Sequence, residues 1–164
     1  LLNVVEDLVK IIPNLKFHLV GGVSDTWGGD IIKRDILNSN FKDYFIFHGH
    51  SDKQMLFMRA GDLMLFTSRA EAFPRTVAEY MVMGKPIVAA NVSGVNEMIE
   101  NNNNGLLYNP FKTDELKSSI VKMYCSKKIQ DKFSKNANRK YFTCFSKEKQ
   151  TKNALKIFNH IDES

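Results

Sequence analysis

Five short apolar segments, separated by stretches with helical periodicity, constrain the fold of this chain more than any other feature. The segments cover 17–20, 44–47, 63–66, 87–90 and 106–108, and a glycine or polar residue follows each one. Before the first segment, apolar residues recur at helical spacing, at Leu1, Val5, Leu8 and Ile12. Because short buried strands that alternate with helices form parallel sheets with both faces covered, the sequence predicts an α/β domain.

The predicted helices complete this pattern and extend it to the C-terminus. They cover 1–12, 30–38, 52–60, 74–83, 94–100, 112–125, 128–140 and 146–160. No strand pattern follows Phe111, so the last part of the chain is predicted to be helical. We therefore expect a Rossmann-like, mostly parallel sheet of about five strands, with helices on both faces and C-terminal helices. Ser51 is the predicted cap of the third helix, and residues 23–29, with Trp27, are predicted to form a loop.

Length and composition indicate one ordinary globular domain that spans all 164 residues. Hydrophobic residues make up 43% and charged residues 25% of the chain. No apolar run approaches the roughly 20 residues of a membrane span, and the first residues do not resemble a signal peptide. Cys125 and Cys144 lie in a Lys-rich region without a disulfide pattern. These features predict a reducing, cytoplasmic location.

Positive charge is concentrated at the C-terminal end of the chain. Residues 111–164 hold 13 Lys and Arg against 6 Asp and Glu, whereas residues 1–110 hold 10 against 12. Two interpretations stay open: a solvated, Lys-rich helical surface, or peripheral contact with an anionic membrane. No basic motif is interleaved with aromatic residues, so nucleic acid is not a predicted partner.

In a parallel α/β sheet, ligands bind at the carboxyl ends of the strands. Those ends fall at Gly21-Gly22, His48 to His50, Ser68 to Arg75, and Asn91 to Gly94. The glycine pair is a weak phosphate-loop signal, because the rest of a dinucleotide fingerprint is absent. His48 and His50 have the spacing of two metal ligands, but no third ligand stands at a suitable distance in the sequence, so no metal site is predicted.

Two glutamates flank the start of the fourth predicted helix. Glu71 follows the third strand, and Pro74 opens a helix whose free N–H groups suit a diphosphate. Thr76 and Glu79 share one face of that helix, so Glu79 could accept hydrogen bonds from a vicinal diol such as a ribose. The alternative interpretations are a solvated Glu71 and a surface pair between Glu79 and Arg75.

This stretch resembles the C-terminal, donor-binding half of retaining glycosyltransferases with the two-domain GT-B fold, in the glycosyl transferases group 1 family. The family pattern S-x-x-E-G-F-x5-E, which contains the E-x7-E motif, is matched in register by Ser68, Glu71, Phe73 and Glu79. Further motifs of the family are matched in order at Phe47-His48-Gly49, Gly84-Lys85-Pro86, Gly94 to Glu97, Gly105 to Pro110, and Phe145 to Glu148.

The resemblance implies a role for each matched residue. Glu71 would be the catalytic carboxylate that faces the donor sugar, beside the backbone N–H groups of Ala72 and Phe73. Glu79 would bind the ribose. The remaining donor contacts would be phosphate contacts at Thr76 and Val77, base contacts through the backbone at His50 and Ser51, and a contact at the strand-end glycine Gly22. The donor would be a UDP- or GDP-linked sugar, bound without metal or other cofactor.

The resemblance also implies that a large part of the enzyme lies outside residues 1–164. The family's first strand, its basic Arg…Lys pair and its N-terminal acceptor domain would precede Leu1. Ala72 stands where the family has glycine, and Lys147 stands where tryptophan is common. We expect the nucleotide-sugar-binding domain of a retaining, hexosyltransferase-type enzyme of polysaccharide or glycolipid biosynthesis, inactive in isolation. The alternatives are a non-catalytic, nucleotide-sugar-binding or regulatory subunit and a GT-B nucleotide-sugar epimerase.

Overall fold

The computed structural model of the protein describes residues 1–22 and 29–162. Helices and strands alternate through its first two-thirds, and helices alone follow. The predicted loop around Trp27 lies outside the described residues, apart from Gly29. In chain order the elements are α1 (Leu2–Ile11), β1 (Phe17–Val20), α2 (Gly29–Leu37), β2 (Phe45–Gly49), α3 (Gln54–Ala60), β3 (Met64–Phe66), α4 (Arg75–Val82), β4 (Ile87–Ala90), α5 (Val95–Met98), β5 (Leu106–Tyr108), α6 (Thr113–Tyr124), α7 (Lys127–Lys140) and α8 (Lys147–Asp162).

All five strands pair in parallel, but they form two sheets and not one. β1 pairs with β2 in the first sheet, and the second sheet has the order β3-β4-β5. The α/β class, the number of strands and their direction are as the sequence predicts. In the described part of the chain, only β4 has two hydrogen-bonded neighbours; β1, β2, β3 and β5 each have one neighbour and one unpaired edge.

β4 lies at the centre of the core and separates two hydrophobic clusters. Its four residues are fully buried, as expected for the middle strand of a parallel sheet covered on both faces. Val88 and Ala90 pack with α1, α6 and Phe133 of α7. Ile87 and Ala89 face the other way and pack with α4, α5 and Ala137 of α7. The prediction of helices on both faces is therefore confirmed.

The C-terminal helices are tied to the core by polar contacts. Lys117 of α6 reaches Asp7 of α1 at 2.8 Å. Lys140, at the end of α7, reaches Glu100 at 2.7 Å in the turn after α5. These contacts lower the pKa of Asp7 and of Glu100 below their ordinary values, chiefly through the hydrogen bond from the lysine. No helix in the described ranges has the length and apolarity that a membrane span requires.

Candidate functional site

The segment between β3 and α4 forms one wall of an open cavity at the carboxyl ends of the strands. The cavity has a volume of about 670 Å³. Glu71 lies half-buried in this wall, and the segment after β4 supplies the opposite side. Two loops that are distant in sequence thus meet where parallel sheets place their ligands. The lining residues are Arg69, Ala70, Glu71, Ala72, Val92 and Ser93.

Gly94 holds the two loops together by a close backbone contact. Its φ is +79°, and a Cβ atom at this position would lie 2.0 Å from the carbonyl oxygen of Ala72. No residue other than glycine fits such a contact without a shift of the Glu71 loop. Because a trans peptide sets its C=O and N–H in opposite directions, the N–H of Phe73 points away from Gly94. Neither this N–H nor that of Ala72 has an acceptor among the described residues.

α4 begins directly after this loop and directs its first turn toward the same end of the sheet. Pro74 is buried and precedes the first helical residue, Arg75. The N–H groups of Arg75 and Thr76 have no intrahelical acceptor, as in the first turn of any α-helix. The N–H of Val77 donates to the carbonyl of Pro74 at 3.0 Å, and its side chain is fully buried. The N–H of Thr76 is therefore a better candidate for a phosphate contact than the N–H of Val77, which already donates to Pro74. Both phosphate contacts remain predictions.

The carboxylates of Glu71 and Glu79 differ from most acidic groups of the protein because they have no partner among the described residues. Across residues 1–22 and 29–162, neither carboxylate accepts a hydrogen bond or forms an ion pair. The alternative pair between Glu79 and Arg75 is not formed. Both glutamates are half-buried, so neither is a fully solvated surface residue.

The other predicted site residues lie at the end of the first sheet. Gly22 follows Gly21, whose N–H donates to the carbonyl of Gly49 at 2.8 Å. His50 is exposed, and Ser51 accepts a hydrogen bond from the N–H of Lys53. The cavity around Glu71 does not include these residues. The structure thus brings Glu71 and Ala72 together and places Gly22, His50 and Ser51 in a second group.

Three ring contacts near these loops were not predicted from the sequence. The guanidinium carbon of Arg69 lies 5.7 Å from the centre of the Phe111 ring, which is 77% exposed. Phe73 packs against Phe145, with ring centres 5.9 Å apart. His18 and His48 stack and share a hydrogen bond of 2.9 Å, which uses one ring nitrogen of each. The only sequence signal for the first contact is that Arg69 and Phe111 both follow strand ends.

Comparison with known proteins identifies the family. The sequence model described as "Glycosyl transferases group 1" matches residues 1–140. The chain belongs to this family. The group 1 membership predicted from the Glu71 and Glu79 motif is therefore confirmed.

Named relatives are glycosyltransferases, and the chain spans less than half of the length of the curated ones. One is the alpha-D-kanosaminyltransferase of Streptomyces kanamyceticus, 31% identical over 77 residues, which are 47% of this chain and 20% of that protein. Among solved structures, Anabaena HepE in complex with UDP superposes with a TM-score of 0.85 at 25% identity, over 96% of this chain and 44% of HepE.

A further structure shares the fold and is itself one domain. It is the C-terminal domain of a group 1 family glycosyl transferase from Francisella tularensis, with a TM-score of 0.73 at 19% identity. The match covers 85% of this chain and 74% of that domain. This group 1 chain thus has the fold of GT-B glycosyltransferases.

Proposed function

We propose that the chain is the nucleotide-sugar-binding domain of a retaining, hexosyltransferase-type glycosyltransferase. The observation that carries the proposal is the cavity at the carboxyl ends of β3 and β4, where Glu71, which has no partner among the described residues, lies shortly before the start of α4. The superposition on HepE, a protein solved with UDP, supports a nucleotide diphosphate as the ligand.

The diphosphate is the part of the donor that α4 suits best. The free N–H groups at Arg75 and Thr76 and the positive end of the helix dipole attract an anion. The Thr76 side chain is exposed and has a hydroxyl that can donate to a phosphate oxygen. Since α4 follows the Glu71 loop without a break, a bound diphosphate brings the attached sugar toward Glu71.

Glu79 lies one turn further along the same face of α4 as Thr76. An ionised carboxylate without a protein partner can accept both hydroxyl protons of a ribose diol. Hydrogen bonds to charged groups contribute about 1.5–3 kcal/mol each, enough to orient the nucleoside. The backbone near Gly22, His50 and Ser51, at the end of the first sheet, would then contact the base.

Glu71 is the proposed catalytic residue, and its carboxylate would face the donor sugar. When the bond between the anomeric carbon and the phosphate oxygen breaks, positive charge develops on the sugar and negative charge on the diphosphate. The carboxylate of Glu71 would hold the sugar hydroxyls, and the N–H groups of Ala72 and Phe73 would complete that wall. No step of this scheme needs a metal, so we propose a metal-independent reaction.

The topology supports a donor half that is completed by another segment. Both sheets have outer strands with an unpaired edge, namely β1 and β2 in the first and β3 and β5 in the second, so a further parallel strand between the sheets can join them into one. We propose that this strand, the basic pair after it and an acceptor domain lie in preceding sequence. The partial coverage of the relatives agrees with such an arrangement.

We propose the acceptor and the cellular location only as broad classes. A glycan or lipid acceptor in polysaccharide or glycolipid biosynthesis fits the family, and a cytoplasmic location fits the two unpaired cysteines. The regulatory-subunit and epimerase alternatives gain no support, because the named relatives are transferases or glycosyltransferases of unassigned substrate.

Ligand-detected NMR with UDP- and GDP-linked sugars tests the proposal. We expect saturation transfer to one nucleotide sugar and its loss in Glu79→Ala. Glu6→Ala, which removes an exposed carboxylate of α1, is the matched control and should bind like the wild type. Binding that is unchanged in Glu79→Ala would contradict the ribose contact, and no binding of any nucleotide sugar would contradict the function.

A further inference from the structure

Four basic residues of α7 form a continuous stripe on the outer surface of the protein. Because an α-helix turns 100° per residue, their spacing of four, three and four places them within about 60° of its circumference. All four side chains are exposed, and they lie opposite the buried Phe133 and Ala137. We call this set the basic stripe: Lys128, Lys132, Lys135 and Arg139.

The charge of the basic stripe is not neutralised by the protein. In the described part of the chain, none of its four cations forms an ion pair with a carboxylate. Two acidic residues in this part of the fold are paired with other lysines. Asp131 pairs with Lys127 at 3.1 Å, and Glu100 pairs with Lys140 at 2.7 Å. The stripe therefore presents uncompensated positive charge over a length of about 16 Å.

An exposed aromatic side chain adjoins the end of the stripe. Phe142 follows Arg139 by three residues, in the π-helical turn Tyr141–Phe145 that links α7 to α8. It is 56% exposed, and its only ring contact in the described residues is the edge of Tyr141. An apolar ring beside several cations is the composition of surfaces that insert shallowly into an anionic bilayer.

We propose that the basic stripe and Phe142 dock the protein on an anionic lipid membrane. Nucleic acid is disfavoured as the occupant, because single strands are bound through successive stacking rings and this surface has one. Acidic lipid headgroups are suitable ligands for this row of three lysines and one arginine, because lysine ammonium groups attract them as point charges and need no bidentate geometry. The stripe residues do not line the cavity at Glu71, so docking leaves the donor site open.

Vesicle sedimentation with the full-length protein tests this proposal. The vesicles contain either phosphatidylglycerol mixed with phosphatidylcholine or phosphatidylcholine alone. The test variant carries K128Q, K132Q, K135Q and R139Q. The matched control removes four exposed cations from other elements, in K10Q, K42Q, R59Q and K122Q, for the same change in net charge. UDP binding and thermal unfolding verify that each variant is folded.

We expect binding to the anionic vesicles only, with a steep loss as salt is raised. Each cation near such a surface contributes roughly fivefold to partitioning, so loss of all four should weaken vesicle binding by about 600-fold. The control variant should lose less than about fivefold. Equal losses in both variants would overturn the proposal, as would the absence of vesicle binding or a stronger affinity of the stripe for single-stranded RNA.

Discussion

At the scale of single residues, the acidic groups of this protein divide by whether the fold gives them a partner. Asp7, Glu100 and Glu115 accept hydrogen bonds from lysines or backbone, and those bonds lower their pKa values. Glu71 and Glu79 are half-buried beside the strand ends and have no partner in the part of the chain that the structure describes. A ligand with hydroxyl donors is the natural occupant of such carboxylates.

The sequence predicts Glu71 and Glu79 as site residues, but it does not predict the backbone contact of Gly94 that positions the Glu71 loop. Glu71 and Glu79 belong to one continuous segment, so spacing and the Pro74 signal were sufficient. Gly94 contacts the carbonyl of Ala72 from a loop that follows another strand. A contact between two loops depends on how neighbouring strands pair, and that is not encoded in local spacing.

The Gly94→Ala variant tests whether this contact shapes the cavity. A positive φ costs a non-glycine residue about 1–2 kcal/mol, and the new methyl group also collides with Ala72. We expect a loss of unfolding free energy of at least about 2 kcal/mol and a UDP affinity at least tenfold weaker. Urea unfolding and calorimetric titration measure the two effects.

Gly61→Ala is the control for the glycine prediction. Its Cβ would meet the carbonyl oxygen of Phe57 at 3.5 Å, an ordinary contact, and its φ is negative. It should leave both the unfolding free energy and the UDP affinity close to wild type. A Gly94→Ala protein as stable and as tightly binding as this control would show that the loops are not held by Gly94.

At the scale of elements, the strands match the predicted segments closely, whereas one helix start does not. β1, β4 and β5 have the predicted bounds. The third helix was predicted to begin after a Ser51 cap, but α3 begins at Gln54. Ser51 instead accepts the N–H of Lys53, two residues on, which closes a local turn. A serine side chain can either cap a helix or close a local turn, so the position of Ser51 in the sequence does not decide between the two.

The turn after α5 is held from inside by one asparagine of the Asn101–Asn104 run. Asn104 is 1% exposed, accepts the N–H of Glu100 and donates to the carbonyl of Met98 at 2.9 Å. Asn104→Ala leaves the carbonyl of Met98 and the partly buried N–H of Glu100 without these partners, so we expect a loss of roughly 1–3 kcal/mol in urea unfolding. Asn96→Ala, exposed on α5, should change stability by less than about 0.5 kcal/mol. Equal values for the two variants would contradict the internal role of Asn104.

The ion pair between this turn and α7 predicts a pH dependence of stability. Lys140 lowers the pKa of Glu100 below its ordinary 4.5 in the folded state. The stabilisation is therefore present above pH 4.5 and is lost as the pH falls through the lowered folded value. Wild type and Glu100→Gln should differ in urea unfolding near neutral pH and converge in acid. Glu97→Gln, which removes an exposed carboxylate without an ion pair in the described residues, is the control and should change the unfolding free energy by less than about 0.5 kcal/mol near neutral pH. A Glu100→Gln difference that persists in acid would contradict the assignment.

At the scale of the whole molecule, the class of the fold follows from the sequence, but the division into two sheets does not. The five apolar segments are similar in length and hydrophobicity, so the pattern does not say which strands are neighbours. The unpaired edges of the four outer strands are visible only in three dimensions. The proposed further strand would pair with one such edge of each sheet.

The proposed dependence on preceding sequence predicts that residues 1–164 alone bind a donor without transferring its sugar. The leaving diphosphate would lack the basic pair, and the acceptor would lack its domain. We expect no sugar transfer by this chain in a product assay under conditions where the full-length protein turns over. Robust transfer by residues 1–164 would contradict the division of the site between two segments.

The most direct test of the donor site compares UDP with 2′,3′-dideoxy-UDP in wild type and Glu79→Gln. Calorimetric titration of the four combinations isolates the interaction between the carboxylate and the ribose diol. In the wild type, loss of both hydroxyls should weaken binding by at least about tenfold, since each bond to a charged group contributes about 1.5–3 kcal/mol. In Glu79→Gln, whose neutral amide oxygen accepts weaker hydrogen bonds, the penalty for loss of the hydroxyls should be at least severalfold smaller. An equal penalty in both proteins, or no binding of UDP to the wild type, would contradict the account.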